Sequence, residues 1–148
     1  MSKTVFIASW YFNPIHPWHI KYLESCKSFW DEVWVIVNND LQAKLKTKNK
    51  MIFQDEEFRM SVISALKVVD FVMLSIDTDF SVCRSIVSMV ELIREKYGAE
   101  AQIVFGKWWD RFANNIPEVE VCNNLGVVIK DRLWDKTHNS SEYRAKII

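Results

Sequence analysis

The chain has 148 residues, of which 49% are hydrophobic, and this length suits one domain with a single well-filled core. Its 19 basic and 19 acidic side chains cancel, which argues against a broad electrostatic surface for a nucleic-acid polymer or an anionic membrane. Seven tryptophans stand against three glycines, whereas average glycine usage alone is about 7% of residues. We therefore expect one domain over residues 1–148, with small-molecule rather than polymer partners.

The cysteines and the N-terminus give two further expectations. Cys26, Cys83 and Cys122 are widely spaced, odd in number and without CxxC pairing, which argues against a disulfide framework or a zinc site. The N-terminus has no apolar signal core, and no apolar run approaches membrane-spanning length. We therefore expect a cytoplasmic protein with reduced cysteines and no metal ligands of its own.

Short β-favouring runs alternate with helical patterns along the chain. Strands are predicted at residues 4–8, 32–38, 71–74, 102–105 and 127–129. Helices are predicted from residue 17, over 55–66, over 81–97, after residue 117 and over 140–148. The lysine-rich residues 41–51 lack an apolar period and are predicted to form a loop. The alternation predicts an α/β fold, a Rossmann-like doubly wound five-stranded parallel sheet with helices on both faces.

Ligands of such sheets bind beyond the carboxyl ends of the strands, where the stretch SWYFNPIHPWH, Ser9 to His19, follows the first strand. Asn13-Pro14 is a turn signal, and Pro17 suits the first position of a helix because its missing N–H would have no partner there. His16 and His19 are three residues apart, so both imidazoles lie at the helix N-terminus. Unpaired backbone N–H groups and the helix dipole make that end a predicted phosphate site.

The stretch FNPIHPWH resembles the H-x-G-H signature of the cytidylyltransferase-like nucleotidyltransferases. Members of that family transfer CMP or AMP from a nucleoside triphosphate to a small phosphorylated acceptor, such as glycerol phosphate or heptose phosphate. His16 and His19 match the signature, and Trp18 stands where the family has glycine. The resemblance implies that the two histidines stabilise the transition state, with Mg²⁺ sharing the charge if nucleotidyl transfer is retained.

Three further segments are similar to family elements. A basic segment of the family reaches the triphosphate, and Lys44 and Lys46 are its nearest matches, although a solvated surface is the alternative. HNSSEYR, over residues 138–144, resembles the I-S-S-T-x-I-R motif, which contacts the triphosphate. FGKWWDR, over residues 105–111, resembles a segment bordering the base, with two tryptophans in place of a glycine pair.

These comparisons give the predicted site. The predicted catalytic residues are His16, His19, Lys46 and Arg144. The predicted ligand-binding residues are Ser9, Trp10, Tyr11, Phe12, Trp18, Lys44, Lys107, Trp108, Trp109, Asp110, Arg111, His138, Asn139, Ser140 and Ser141. We expect Trp10, Trp18, Trp108 and Trp109 to line one cavity.

Three functions follow from this pattern. In the first case the chain is a working cytidylyl- or adenylyltransferase in which tryptophans stack on the base. Alternatively, engineering or divergence has rebuilt the nucleotide pocket with aromatics, so that native transfer is impaired and another small molecule is bound or converted. In the third case the tryptophans fill the site or join two copies, and no small molecule binds. The surplus aromatics favour the second function and a homodimer, since Trp and Tyr are enriched at interfaces.

Overall fold

A computed structural model describes residues 2–47, 54–107 and 117–130. Its five strands are β1 (Thr4–Trp10), β2 (Glu32–Val37), β3 (Phe71–Leu74), β4 (Gln102–Lys107) and β5 (Val128–Ile129). They form one parallel sheet in the order β3-β2-β1-β4-β5. The predicted five-stranded parallel sheet is confirmed, with β1 in the centre and the strand order reversing beside it.

Five helices connect or follow the strands in the described residues. They are α1 (Pro17–Phe29), α2 (Asp40–Lys46), α3 (Glu56–Ser64), α4 (Cys83–Tyr97) and α5 (Glu118–Leu125). The α3 helix begins after Asp55, whose side chain accepts a hydrogen bond from the N–H of Phe58 at 2.8 Å. The α4 helix ends at Tyr97 and is followed by Gly98, whose φ of 93° suits glycine because it has no Cβ. The helix predicted over residues 140–148 lies outside the described residues.

Helices cover both faces of the sheet. Alternate side chains of the central strands point to opposite faces. One face packs Val5, Ile7 and Phe105 against the apolar stripe of α4 and Cys122 of α5. The other face packs Phe6 and Ala8 of β1 against α1 and α3. The doubly wound arrangement is therefore confirmed. No helix in the described part of the chain is long and apolar enough to span a bilayer.

The lysine-rich segment is the main departure from the sequence-based prediction. Residues 41–51 were expected to form a loop, and that expectation is wrong for the first part of the segment, because Asp40–Lys46 is helical. Asn39 and Gln42 cap this helix reciprocally: the side chain of each accepts a hydrogen bond from the backbone N–H of the other, at 2.9 and 3.1 Å. Polar capping, rather than an apolar period, thus begins α2.

Candidate active site

A cavity of about 350 Å³ opens at the carboxyl end of β1. It is lined by Trp10, Tyr11, Asn13, Pro14, His16, His19, Ala43, Lys46 and Thr47. One wall is the turn from the end of β1 into the first turn of α1, which we call the histidine wall (residues 10–19). The other wall is α2 with its C-cap, which we call the lysine wall (residues 40–47). The volume falls in the range of small-molecule sites, about 300–1,000 Å³.

The two histidines lie one above the other at the start of α1. Their ring centroids are 3.8 Å apart with an angle of 28° between the rings. His16 is the N-cap residue, and its carbonyl oxygen accepts the N–H of His19 at 3.0 Å. The pair is therefore fixed by the helix N-terminus, where backbone N–H groups and the positive end of the helix dipole favour an anion.

A hydrogen bond fixes the protonation of His19. The backbone N–H of His16 donates to Nδ1 of His19 at 3.1 Å, so that nitrogen is an acceptor and the proton of the neutral ring is on Nε2. Burial, followed by the nearby charges of His16 and Lys46, lowers the pKa of His19 to about 3. Burial also lowers the pKa of His16. His19 is therefore a neutral hydrogen-bond donor at physiological pH.

Lys46 supplies a positive charge from the lysine wall. Its ammonium nitrogen lies 3.8 Å from the ring centroid of Trp10 and 4.4 Å from that of Tyr11. Both distances are well inside the cation–π range of about 6 Å. The two aromatic rings thus hold the ammonium group beside the histidines, and contact with Lys46 occupies part of their surface.

The backbone of the histidine wall is constrained where it leaves β1. Phe12 has a φ of 53°, a left-handed conformation that a bulky side chain rarely adopts. Its side chain is buried, and its ring meets His19 edge-on with centroids 5.1 Å apart. Phe12 therefore supports His19 from the protein side rather than lining the cavity.

The structure places the other predicted residues as follows. Ser9 is buried at the end of β1, and its hydroxyl has no hydrogen-bond partner among the described residues. Trp18 is only 6% exposed and belongs to the core cluster on the α1 face, so it is not among the residues lining the cavity. Lys44 is exposed on α2, and the backbone of Lys107 pairs with Ser9 in the sheet.

The remaining predicted site residues lie outside the described residues. They are Trp108, Trp109, Asp110, Arg111, His138, Asn139, Ser140, Ser141 and Arg144. The structure therefore brings together Trp10, Tyr11, His16, His19 and Lys46 from the predicted set. The prediction that four tryptophans line one cavity fits Trp10 and not Trp18, and stays a prediction for residues 108 and 109.

Sequence reasoning missed several residues around the cavity. Ala43 and Thr47 line it because α2 turns them toward β1, and no loop prediction could place them. Arg59 was also missed, although it is 1% exposed and hydrogen-bonded behind the two walls. A signal existed: Arg59 is four residues before Ile63, so both lie on the buried face of α3.

No carboxylate is among the described residues that line the cavity, and those described residues contain no group of three His, Cys, Asp or Glu side chains able to hold a metal ion. Asn13 contributes an amide oxygen, which accepts the backbone N–H of Gln54 at 3.1 Å. The described residues of the cavity thus offer donors and positive charge suited to an anion.

The fold and site together define an α/β protein with a stacked histidine pair at a helix N-terminus, at the sheet's switch point. The sequence model of the cytidylyltransferase-like family matches residues 11–148, and the chain belongs to that family. It is 31% identical over 121 residues to an FAD synthase of Methanocorpusculum labreanum, covering 80% of this chain and 78% of that protein. It is 32% identical to an FAD synthase of Methanocella paludicola, covering 72% and 68%.

Other relatives match over shorter segments. An FAD synthase of Archaeoglobus profundus is 40% identical over 73 residues, and the chain spans 45% of its length. The chain is also similar to the crystal structure of a lipopolysaccharide core biosynthesis protein from Thermoplasma volcanium. That likeness has a TM-score of 0.58 and 26% identity, covering 88% of this chain and 94% of the other.

Proposed function

We propose that the chain transfers AMP from ATP to a small phosphorylated acceptor, with flavin mononucleotide as the first acceptor to test. The observation that carries the proposal is the convergence of His16, His19 and Lys46 on one cavity at a helix N-terminus. The relatives named FAD synthase support ATP over CTP and a flavin over a sugar phosphate.

The reaction is a displacement at the α-phosphorus of the nucleotide. A phosphate oxygen of the acceptor forms a bond to that phosphorus, the bond to the β-phosphate oxygen breaks, and pyrophosphate leaves with the electron pair. Such a transfer needs no covalent nucleophile, so the protein contributes positioning and stabilisation of negative charge.

The residues of the two walls suit these tasks. His19 donates from Nε2 without a proton transfer, since its pKa of about 3 keeps it neutral. His16 adds a second ring beside it, and the N-terminus of α1 adds backbone dipoles. Lys46 brings a positive charge, the single one among the described lining side chains. Negative charge developing between the walls is thus met from both sides.

We further propose that Mg²⁺ enters on the phosphate oxygens of the nucleotide. Protein sites for Mg²⁺ commonly combine one or two carboxylates with substrate phosphates. The described lining residues include no Asp or Glu, so in this part of the site the nucleotide phosphates would supply the oxygen ligands of the ion.

A second candidate function is binding of an apolar aromatic compound, for which the observation is that the aromatic rings of Trp10 and Tyr11 line the cavity. Lys46 rests on both rings, so an aromatic ligand stacking there would have to displace the ammonium group. This competition makes the second candidate weaker than nucleotidyl transfer, whose phosphates attract the same ammonium.

Pyrophosphate release tests the proposal. The purified chain is given ATP or CTP with Mg²⁺ and either flavin mononucleotide or glycerol phosphate, and the product, a dinucleotide with the flavin or a nucleoside diphosphate–glycerol with glycerol phosphate, is identified by mass. We expect turnover with ATP and the flavin at about 1 per second or more. Turnover with CTP and glycerol phosphate alone would contradict the choice of substrates, and no turnover with any pair would contradict nucleotidyl transfer.

A matched pair of lysine variants assigns the activity to the cavity. Lys46→Ala should lower kcat/KM about 100-fold, as loss of one charge-stabilising group commonly does. Lys67→Ala makes the same charge change at an exposed position before β3. This position is at the amino end of that strand, whereas the cavity is at the carboxyl end of β1, so kcat/KM should be unchanged. Equal losses of kcat/KM in both variants would show that the cavity is not the site of the reaction.

Melting experiments distinguish the binding of an apolar aromatic compound from nucleotidyl transfer. A ligand at 100 times its dissociation constant stabilises the folded chain by about 2.7 kcal/mol. A large shift with indole and none with ATP would favour the aromatic-ligand function over nucleotidyl transfer.

A further inference from the structure

Arg59 is a buried cation outside the cavity, and it is hydrogen-bonded to both of the cavity's walls. Its side chain is fully buried, yet Nη1 donates to the carbonyl oxygens of Tyr11 and Asn38 at 2.6 Å each. Nε donates to the carbonyl oxygen of Gln54 at 2.9 Å, and Nη2 donates to Oδ1 of Asp40 at 2.7 Å. Four of the five guanidinium N–H groups are therefore used.

The acceptors belong to three separate segments of the chain. Tyr11 is in the histidine wall, whereas Asp40 is the first residue of α2 and Asn38 precedes it. One planar group thus ties the end of β1 to the start of the lysine wall. The carbonyl of Tyr11 lies next to Phe12, whose left-handed backbone is unfavourable without such support.

The lysine wall depends on anchors of this kind. The α2 helix has seven residues, and isolated helices shorter than about 12–15 residues are marginal in water. Lys46 sits in its last turn, so the place of the ammonium group follows from how the first turn is held. The N–H of Asp40 also donates to Glu56 Oε1 at 2.8 Å, which ties α2 to the helix that carries Arg59.

We propose that Arg59 is a positioning residue for nucleotidyl transfer: it fixes the lysine wall against the histidine wall and thereby sets where Lys46 stands relative to His16 and His19. The kinetic part of this inference rests on the proposed function. The structural part does not, because the contact between Lys46 and Trp10 exists without substrate.

Arg59→Lys tests the proposal because lysine keeps the charge and loses the planar fork that reaches three carbonyl groups. Misplacement of a catalytic group by about 1 Å can cost about 100-fold in rate, so we expect kcat to fall by about that factor while KM for ATP changes much less.

Arg94→Lys is the matched control. Arg94 also donates from its guanidinium to a backbone carbonyl, that of Leu125 at 2.5 Å, but it joins α4 to the end of α5 on the other side of the sheet. We expect Arg94→Lys to leave kcat unchanged at a temperature where both variants are folded. Equal losses of kcat in the two variants would show that Arg59 contributes only to general stability.

The readout that needs no activity is the indole N–H signal of Trp10 in ¹⁵N-tryptophan-labelled protein, assigned by its loss in Trp10→Phe. Lys46→Ala shows how far, and in which direction, the Trp10 signal moves when the ammonium group is removed from its ring. We expect Arg59→Lys to move the signal in the same direction and Arg94→Lys to leave it in place. An unmoved signal in folded Arg59→Lys overturns the proposal, even if the unmodified chain shows no turnover.

Asp40→Asn covers the case in which Arg59→Lys does not fold. The Asp40 side chain is 28% exposed, and this change removes the negative charge that faces Nη2 of Arg59 while leaving an amide oxygen in its place and the three carbonyl contacts intact. We expect a smaller shift of the Trp10 signal in the same direction. An unmoved Trp10 signal in folded Asp40→Asn would overturn the proposal in that case.

Discussion

The histidine wall and the lysine wall face the same cavity but are specified in different ways. The histidine wall follows from local chemistry: a strand run ends, Asn13-Pro14 turns the chain, and Pro17 begins α1. The lysine wall has only a short local pattern, the capping pair Asn39 and Gln42, and no apolar period. It is helical because Asn39 and Gln42 cap each other and because more distant groups hold it in place. The difference shows that one half of a site can be encoded nearby in sequence while the other half depends on tertiary contacts.

The largest effect is expected in the histidine wall, at His19. In His19→Asn the side-chain oxygen keeps an acceptor near the position of Nδ1 for the N–H of His16, whereas the Nε2 donor is lost. We expect normal folding and a fall in kcat of about 100- to 1,000-fold. His19→Gln, which places an amide near the position of Nε2, should retain more activity. Equal loss in both variants would show that the donor position does not matter.

The next effect concerns pH and the same side chain. The pKa of His19 is about 3 in the folded chain and 6.5 in the unfolded chain, so between these values the unfolded chain binds more protons. Stability from this group is complete above pH 6.5 and is lost as pH falls toward 3, on the order of 3 kcal/mol by pH 4. Urea unfolding at pH 7 and pH 4 measures the loss, which should be smaller in His19→Gln. Identical losses in the two proteins would contradict the low pKa.

The lysine wall is tested by a smaller change at Gln42. Its side-chain amide donates to the carbonyl oxygens of Asp79 and Ser81, both at 2.8 Å, and Gln42 is fully buried. Gln42→Ala should cost about 1–3 kcal/mol of unfolding free energy, because the buried carbonyl group of Ser81 and the partly buried one of Asp79 lose their partner. If a solvated surface were the whole role of this segment, Gln42→Ala would unfold at the same urea concentration as the unmodified chain.

The smallest effect on stability is expected on the outer face of α2. Leu41 is 50% exposed there, and Leu41→Lys should change the unfolding free energy by less than about 0.5 kcal/mol.

We also propose that the chain forms a homodimer and that exposed apolar residues around α2 contribute to it, since Ile76 and Phe80 are likewise exposed on the loop bonded to α2. Sedimentation should then give a dimer for the unmodified chain and a monomer for Leu41→Lys. A monomer in both cases would contradict the dimer.

Sequence alone predicted the sheet, four of the described helices and the histidine pair, because strand runs, caps and the family signature are all local patterns. It missed α2, whose local signal is the capping pair Asn39 and Gln42. The bonds from these two residues to residues 75–81 could not be predicted, since they join segments far apart in the chain. The prediction that Trp18 lines the cavity was wrong, because it rested on the family having glycine at that position. Trp18, Tyr22 and Cys26 are four residues apart on the buried face of α1, so helical spacing alone would have placed Trp18 in the core.

The acceptors of Arg59 have a consequence for how this chain can change over generations. Three of its four partners are main-chain carbonyl groups, at Tyr11, Asn38 and Gln54, and any residue at those positions would supply the same oxygen. Side chains facing the cavity, Tyr11 among them, can therefore be exchanged without dissolving the frame that holds them. The lining of the cavity and the integrity of its frame therefore depend on different atoms of the same residues, so the lining side chains can change while the architecture of the pocket persists.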